Sequence, residues 1–134
     1  ILGLTFRFTG VPFANHVMKI KRGITISLIP WSLALGLYYS LAIHMYHSLG
    51  GWPESIGTRG FSPALLMHDK IHGFYISNLA LFTIFVVPVI ILICLFVPRW
   101  QPLIIYLSLQ LLGMLIFFLQ MFFAPDGYTY WWWD

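Results

Sequence analysis

Three stretches of this chain carry no Asp, Glu, Lys or Arg: residues 23–53, 71–98 and 100–125. Each exceeds the ~20 apolar residues that a helix needs to cross a bilayer. The composition agrees, with 60% apolar and only 8% charged residues, where a soluble domain has about 25% charged. The expected fold class is all-α, an integral membrane protein with three transmembrane helices. Little chain remains for a separate soluble domain.

The breakers divide the rest. Residues 1–22 hold Arg7, Lys19, Lys21 and Arg22 with no acid, and Gly10 and Pro12 interrupt them. They read as a basic interfacial segment, with Phe6, Phe8, Phe13 and Val17 toward lipid and the cations toward headgroups. Helix 1 is expected over 23–49, with Pro30 as a kink. An outer loop follows over 50–71, dense in Gly and Pro, although ALLMHDKIH allows an earlier helix start. Helix 2 is expected over 72–97 with a kink at Pro88, a tight hairpin over 98–101, and helix 3 over 102–124. An aromatic tail, 125–134, closes the sequence. Its first residue is Ile1 rather than Met, which fits a removed leader or a partial sequence.

With the N-terminus inside, Arg7, Lys19, Lys21, Arg22 and Arg99 are inside and only Arg59 and Lys70 outside. That asymmetry is what the positive-inside rule asks for, so the expected topology is N-inside, C-outside. The expected membrane is an energy-transducing one, inner mitochondrial, bacterial cytoplasmic or similar. Trp131, Trp132 and Trp133 then fall at the outer interface. Three consecutive indoles point in different directions, so some are expected to anchor on a neighbouring subunit.

Ser32, Gly36 and Ser40 recur every fourth residue, a small-residue row of the kind that lets helices approach closely in lipid. One further step along that row reaches His44. Ser77, Asn78, Thr83, Gln110 and Gln120 are the other polar marks in the helices, each expected to satisfy an interhelical hydrogen bond. No ionisable carboxylate, amine or guanidinium lies mid-helix, which argues against an autonomous transporter or channel. No GxSxG, Walker loop or HExxH occurs, so no catalytic residue is assigned. The single cysteine, Cys94, excludes an intrachain disulfide and reads as a small buried hydrophobe.

Four of the five histidines crowd the expected outer ends of helices 1 and 2: His44, His47, His68 and His72. Facing helices can bring such imidazoles together, with Glu54, Asp69 and Asp126 nearby, as a site for copper, zinc or bis-His haem. The competing reading is interfacial or hydrogen-bonding histidine, with His44 on a packed face and His68 merely hydrated. His44, His47 and His72 are the candidate cofactor ligands on that side. On the inner side Arg7, with His16 and Thr9, marks either a lipid contact or a quinone pocket.

LTFRFTG (Leu4–Gly10) resembles the Ser-x-x-His-Arg-x-Ser/Thr-Gly motif of the large cytochrome b membrane anchor of succinate dehydrogenase. Arg7, Thr9 and Gly10 match; Phe6 replaces the family's His, and Gly3 its quinone-binding Ser. The resemblance implies three helices, an N-inside topology and quinone or haem nearby. The family's haem-ligating His has no counterpart in the embedded part of helix 2. Lys21–Arg22 and GFSP, within Lys21–Pro63, resemble the third subunit of particulate methane and ammonia monooxygenases, which implies a copper site. That family's Asp and first His fall near Thr58 and Leu65, leaving His68 or His72 as substitutes.

The expectation is a small structural or cofactor-supporting subunit, without catalysis of its own, of a multi-subunit electron-transfer complex. Its partners are other membrane subunits and lipid, not nucleic acid. The alternative is a redox or metal subunit whose outer histidines bind haem, pigment or copper.

Overall fold

A computed structural model describes residues 13–134, and among them the regular structure is entirely helical. Three helices are long and apolar enough to cross a membrane: Asn15–Leu49, Pro63–Phe96 and Leu103–Phe123. Of the basic segment expected over 1–22, the described part, 13–22, is not separate from the first helix. Helix α1 runs from Phe13 to Leu49, with Lys19, Lys21 and Arg22 exposed along its first turns. Nothing between Phe13 and Arg22 breaks a helix, so charge marks where the apolar stretch stops rather than where the helix does. Arg7, Thr9 and the LTFRFTG motif lie outside the described residues.

Along α1 the buried residues are Trp31, Ala34, Tyr38, Leu41, Ala42 and Met45, a recurrence every three or four residues that keeps one stripe inward. Thr25, Ser27 and Ser32 return their hydroxyls to the carbonyls of Lys21, Gly23 and Leu28 one turn back. That satisfies a polar group within its own helix. Pro30 sits inside α1 without ending it, and its carbonyl accepts the Tyr75 hydroxyl at 2.7 Å. α1 stops before Gly50, whose φ of +72° is the left-handed conformation typical just past a helix end.

Helix α2 (Pro63–Leu81) begins earlier than the expected His72, shortening the loop to 50–62. The start is set by Ser62, whose Oγ accepts the Leu65 N–H at 3.2 Å, and by Pro63 in the first turn. One wide turn, Phe82–Val86, joins α2 to α3 (Val87–Phe96), with the Val87 N–H reaching the Phe82 carbonyl. Pro88 explains it: it lacks an N–H, its ring crowds the carbonyl four residues back, and five-residue spacing relieves both. A 3₁₀ turn, Pro98–Trp100, makes the hairpin. α4 (Leu103–Gln120) continues through a 3₁₀ turn, Met121–Phe123. The aromatic tail is itself helical, α5 (Asp126–Trp133).

α1 packs against both α2 and α4, and α3 lies on α4. At the mid-depth of the α2–α3 span, Gln110 Nε2 donates to Thr83 Oγ1 at 3.3 Å and Thr83 donates to Leu79 O. Tyr39 bonds Gln120 between α1 and α4. Asn78 turns back to the carbonyl of Phe74 instead of bridging helices. Cys94 is buried, as its sequence context implies.

Candidate functional site

The loop 50–62, α5 and the adjoining ends of α1 and α2 form one aromatic and histidine-rich end of the bundle. Its centre is the tilted pair of Tyr38 and Tyr128, ring centroids 4.8 Å apart at 50°, with Phe117 edge-on to Tyr38 at 5.8 Å. Tyr128 is fully buried and donates its hydroxyl to the Tyr38 carbonyl at 2.8 Å. Burial, with the Tyr38 ring and the Asp69 carboxylate adding to it, pushes the Tyr128 phenol far above its ordinary range. It is therefore a fixed neutral donor, and it pins α5 to α1.

The tryptophans follow from that docking. Trp131 stacks on Tyr128 at 14° and donates its indole N–H to the Gly57 carbonyl at 2.9 Å, tying the loop down. Trp132 donates its indole N–H to His72 Nε2 at 3.1 Å. Trp131 and Trp132 thus make these indole bonds within their own chain. Trp133 alone points outward, 60% exposed. A contiguous triplet on a helix spreads over most of its circumference, so the outward and inward roles had to divide.

The four histidines do not form one cage. His72 is buried, and because an indole can only donate, its Nε2 must be the unprotonated acceptor and its Nδ1 must carry the proton. His47 is exposed and lies edge-on to Tyr46, beside a crevice of about 310 Å³ lined by Tyr39, Tyr46, Trp52 and Pro125. His44 and His68 do meet: Nδ1 faces Nδ1 at 2.8 Å, and His68 Nε2 is 3.0 Å from Ser40 Oγ. His68, read as merely hydrated, is instead the centre of a hydrogen-bonded chain, because α2 starts early enough to carry it against α1. One proton arrangement uses every contact. His44 donates to His68, His68 Nε2–H donates to Ser40, and Ser40 donates to the Leu37 carbonyl at 3.0 Å.

The pair fits a shared proton better than a metal ion. Two imidazole nitrogens on one tetrahedral zinc, with bonds of ~2.0–2.1 Å, stand about 3.3 Å apart, and further apart on a linear centre. At 2.8 Å the rings are within hydrogen-bond distance and too close for that. No group of three or more His, Cys, Asp or Glu side chains placed to hold a metal occurs among the described residues. The chemistry this end supports is a proton held between the His44 and His68 imidazoles, in a hydrogen-bonded chain that runs through Ser40 and ends on the Leu37 carbonyl.

Ser32, Gly36 and Ser40 are exposed, and a Cβ built on Gly36 meets nothing within 4 Å. The packed row is Trp31–Ala34–Tyr38–Leu41–Met45; of the small residues Gly36 faces open space, while Ser40 meets His68 on α2 and Ser32 borders the α1–α4 crevice beside Trp31 and Gly113. His44 is half-buried. The Tyr38–Tyr128, Trp132–His72 and Ser40–His68 contacts had no signal in local spacing, since each joins residues far apart in sequence.

Against known proteins, no family model, no curated protein and no solved structure matches the chain.

Proposed function

We propose that this chain is a small integral membrane subunit, structural or cofactor-supporting, of a multi-subunit electron-transfer complex in an energy-transducing membrane. Its N-terminus lies inside and the histidine-rich end outside, following the distribution of basic residues. The observation that carries the subunit reading is the open position of Gly36, with the exposed Ser32 and Ser40 one turn to either side. In lipid, small residues forfeit dispersion contacts unless another helix comes close enough to use the groove they leave. The electron-transfer host rests on the resemblance of LTFRFTG and on the proton held between His44 and His68 beside Ser40, since such complexes move protons with electrons.

A photo-crosslinking side chain placed at Gly36, and separately at Phe85 on the lipid-exposed face of the α2–α3 span, tests the reading in native membranes. A protein adduct from position 36 and only lipid adducts from position 85 are expected. Lipid adducts alone from both positions overturn it.

The redox or metal alternative, in which the outer histidines bind haem, pigment or copper, has two adjacent imidazoles in its favour and their 2.8 Å separation against it. Metal analysis and an absorption spectrum of the purified chain, compared with His44→Ala, decide it. Absence of bound metal and chromophore from the unmutated protein ends that reading.

A further inference from the structure

The end of α4 and the outward face of α5 enclose a crevice of about 490 Å³ that neither the histidine pair nor the small-residue row uses. Its walls are the rings of Phe118, Phe122, Tyr130 and Trp133 with Met121, Thr129 and Asp126 among them, and no basic residue among the described residues lines it. Phe118 and Trp133 stand 6.2 Å apart and tilted at 37°. Phe122, Tyr130 and Trp133 are 83%, 70% and 60% exposed, so their faces are open to an incoming group. Thr129 has turned its hydroxyl to the Met121 carbonyl, leaving Asp126 as the polar side chain free to meet a ligand.

Three independent features give this crevice one sign. Aromatic faces present the negative part of the ring quadrupole to a cation. Phe118 lies in the last turn of α4, at the negative end of that helix's dipole. The Asp126 carboxylate carries a full negative charge, which outweighs the half positive charge of the α5 N-terminus beside it. Several rings plus one carboxylate is the arrangement that recognises an alkylammonium group. One turn before Phe118 and Phe122, Leu115 and Leu119 of α4 are exposed apolar side chains that acyl chains can cover.

We propose that this crevice binds the ammonium headgroup of a zwitterionic membrane lipid, with the choline or ethanolamine nitrogen held by Tyr130, Trp133 and Asp126. The lipid chains lie along α4. A lipid is the occupant because exposed apolar side chains of α4 precede the ammonium cage in the same helix, and a soluble ammonium ion would use only the cage.

Native mass spectrometry of the chain released from nanodiscs of equal parts phosphatidylcholine and phosphatidylglycerol is the test. The expected result is a retained phosphatidylcholine adduct favoured over phosphatidylglycerol by about tenfold. Asp126→Asn and Tyr130→Leu should each abolish the preference, Asp126→Glu should keep it, and Asp134→Asn should leave it unchanged. Tyr130 is exposed enough that its loss does not threaten the fold, so Tyr130→Leu reports on binding even if Asp126→Asn destabilises α5. Tetramethylammonium alone should bind far more weakly than the lipid. Equal retention of both lipids by the unmutated chain, or an undiminished preference in Tyr130→Leu, overturns the proposal. Displacement of the lipid by stoichiometric tetramethylammonium would also overturn it, by assigning the site to soluble cations.

Discussion

Replacing Tyr128 by Phe and then by Ala separates the two ways in which it holds α5 to the bundle. Tyr128→Phe removes the 2.8 Å hydroxyl donation to the Tyr38 carbonyl and keeps the ring. That carbonyl lies inside α1, where the helix ladder still supplies a donor, so no acceptor is orphaned. The cost should sit at the ordinary net value of a hydrogen bond, about 1 kcal/mol. Tyr128→Ala also deletes a fully buried ring that stacks on Trp52 and Trp131 and packs on Tyr38. Large-to-small changes of this kind cost about 3–5 kcal/mol in a core, more than an eight-residue helix can absorb while staying docked. The assay is amide hydrogen exchange in detergent micelles, read over Asp126–Trp133 and over the middle of α1, with tryptophan emission followed in parallel. Tyr128→Phe should speed exchange in α5 by about fivefold, a loss of ~1 kcal/mol. Tyr128→Ala should remove α5 protection and shift emission to the red, while mid-α1 stays protected. If Tyr128→Ala leaves α5 protection and emission unchanged, the aromatic stack does not hold the tail and this reasoning fails.

Other substitutions probe separate joints. Gly113→Val should destabilise the α1–α4 contact by about 1–3 kcal/mol, because even a Cβ there stands 3.1 Å from Trp31; thermal unfolding by circular dichroism measures it. Ser62→Ala should cost about 1 kcal/mol and raise amide exchange at Leu65, the N–H that Ser62 caps. Trp132→Phe keeps the packing but removes the donor that fixes the His72 tautomer. Nitrogen-15 chemical shifts of His72 should show a defined Nδ1–H form in the parent chain and a tautomer mixture in the variant. An unchanged spectrum contradicts the indole–imidazole bond.

How far the sequence could be read depended on what lipid makes visible. The three spans were legible because charge-free runs longer than a bilayer have few other uses. Their ends were less so: Phe13–Arg22 looked separate because it is basic, yet a helix can leave the hydrocarbon and continue with its cations in water. The Ser62–Pro63 pair was an available start signal for α2, a capping hydroxyl followed by a residue suited to the first turn. The inward face of α1 was not legible, because lipid-facing and partner-facing positions in a membrane helix are both apolar and differ only in shape. Trp31 and Tyr38 take the inward row because Phe117 and Tyr128 have room for them, which no local pattern in α1 reveals. The crowding of His44, His47, His68 and His72 at one end was readable from their positions. That His44 should meet His68 while His72 meets Trp132 depends on helix rotation and on where α5 folds back.

The central claim, that this is a subunit whose open face at Gly36 belongs to an assembly, is tested most directly by native mass spectrometry of the chain purified from its own membrane in a mild detergent. The account predicts a stoichiometric complex with other membrane chains, carrying a redox cofactor on at least one of them. A well-folded monomer bearing only lipid would contradict it.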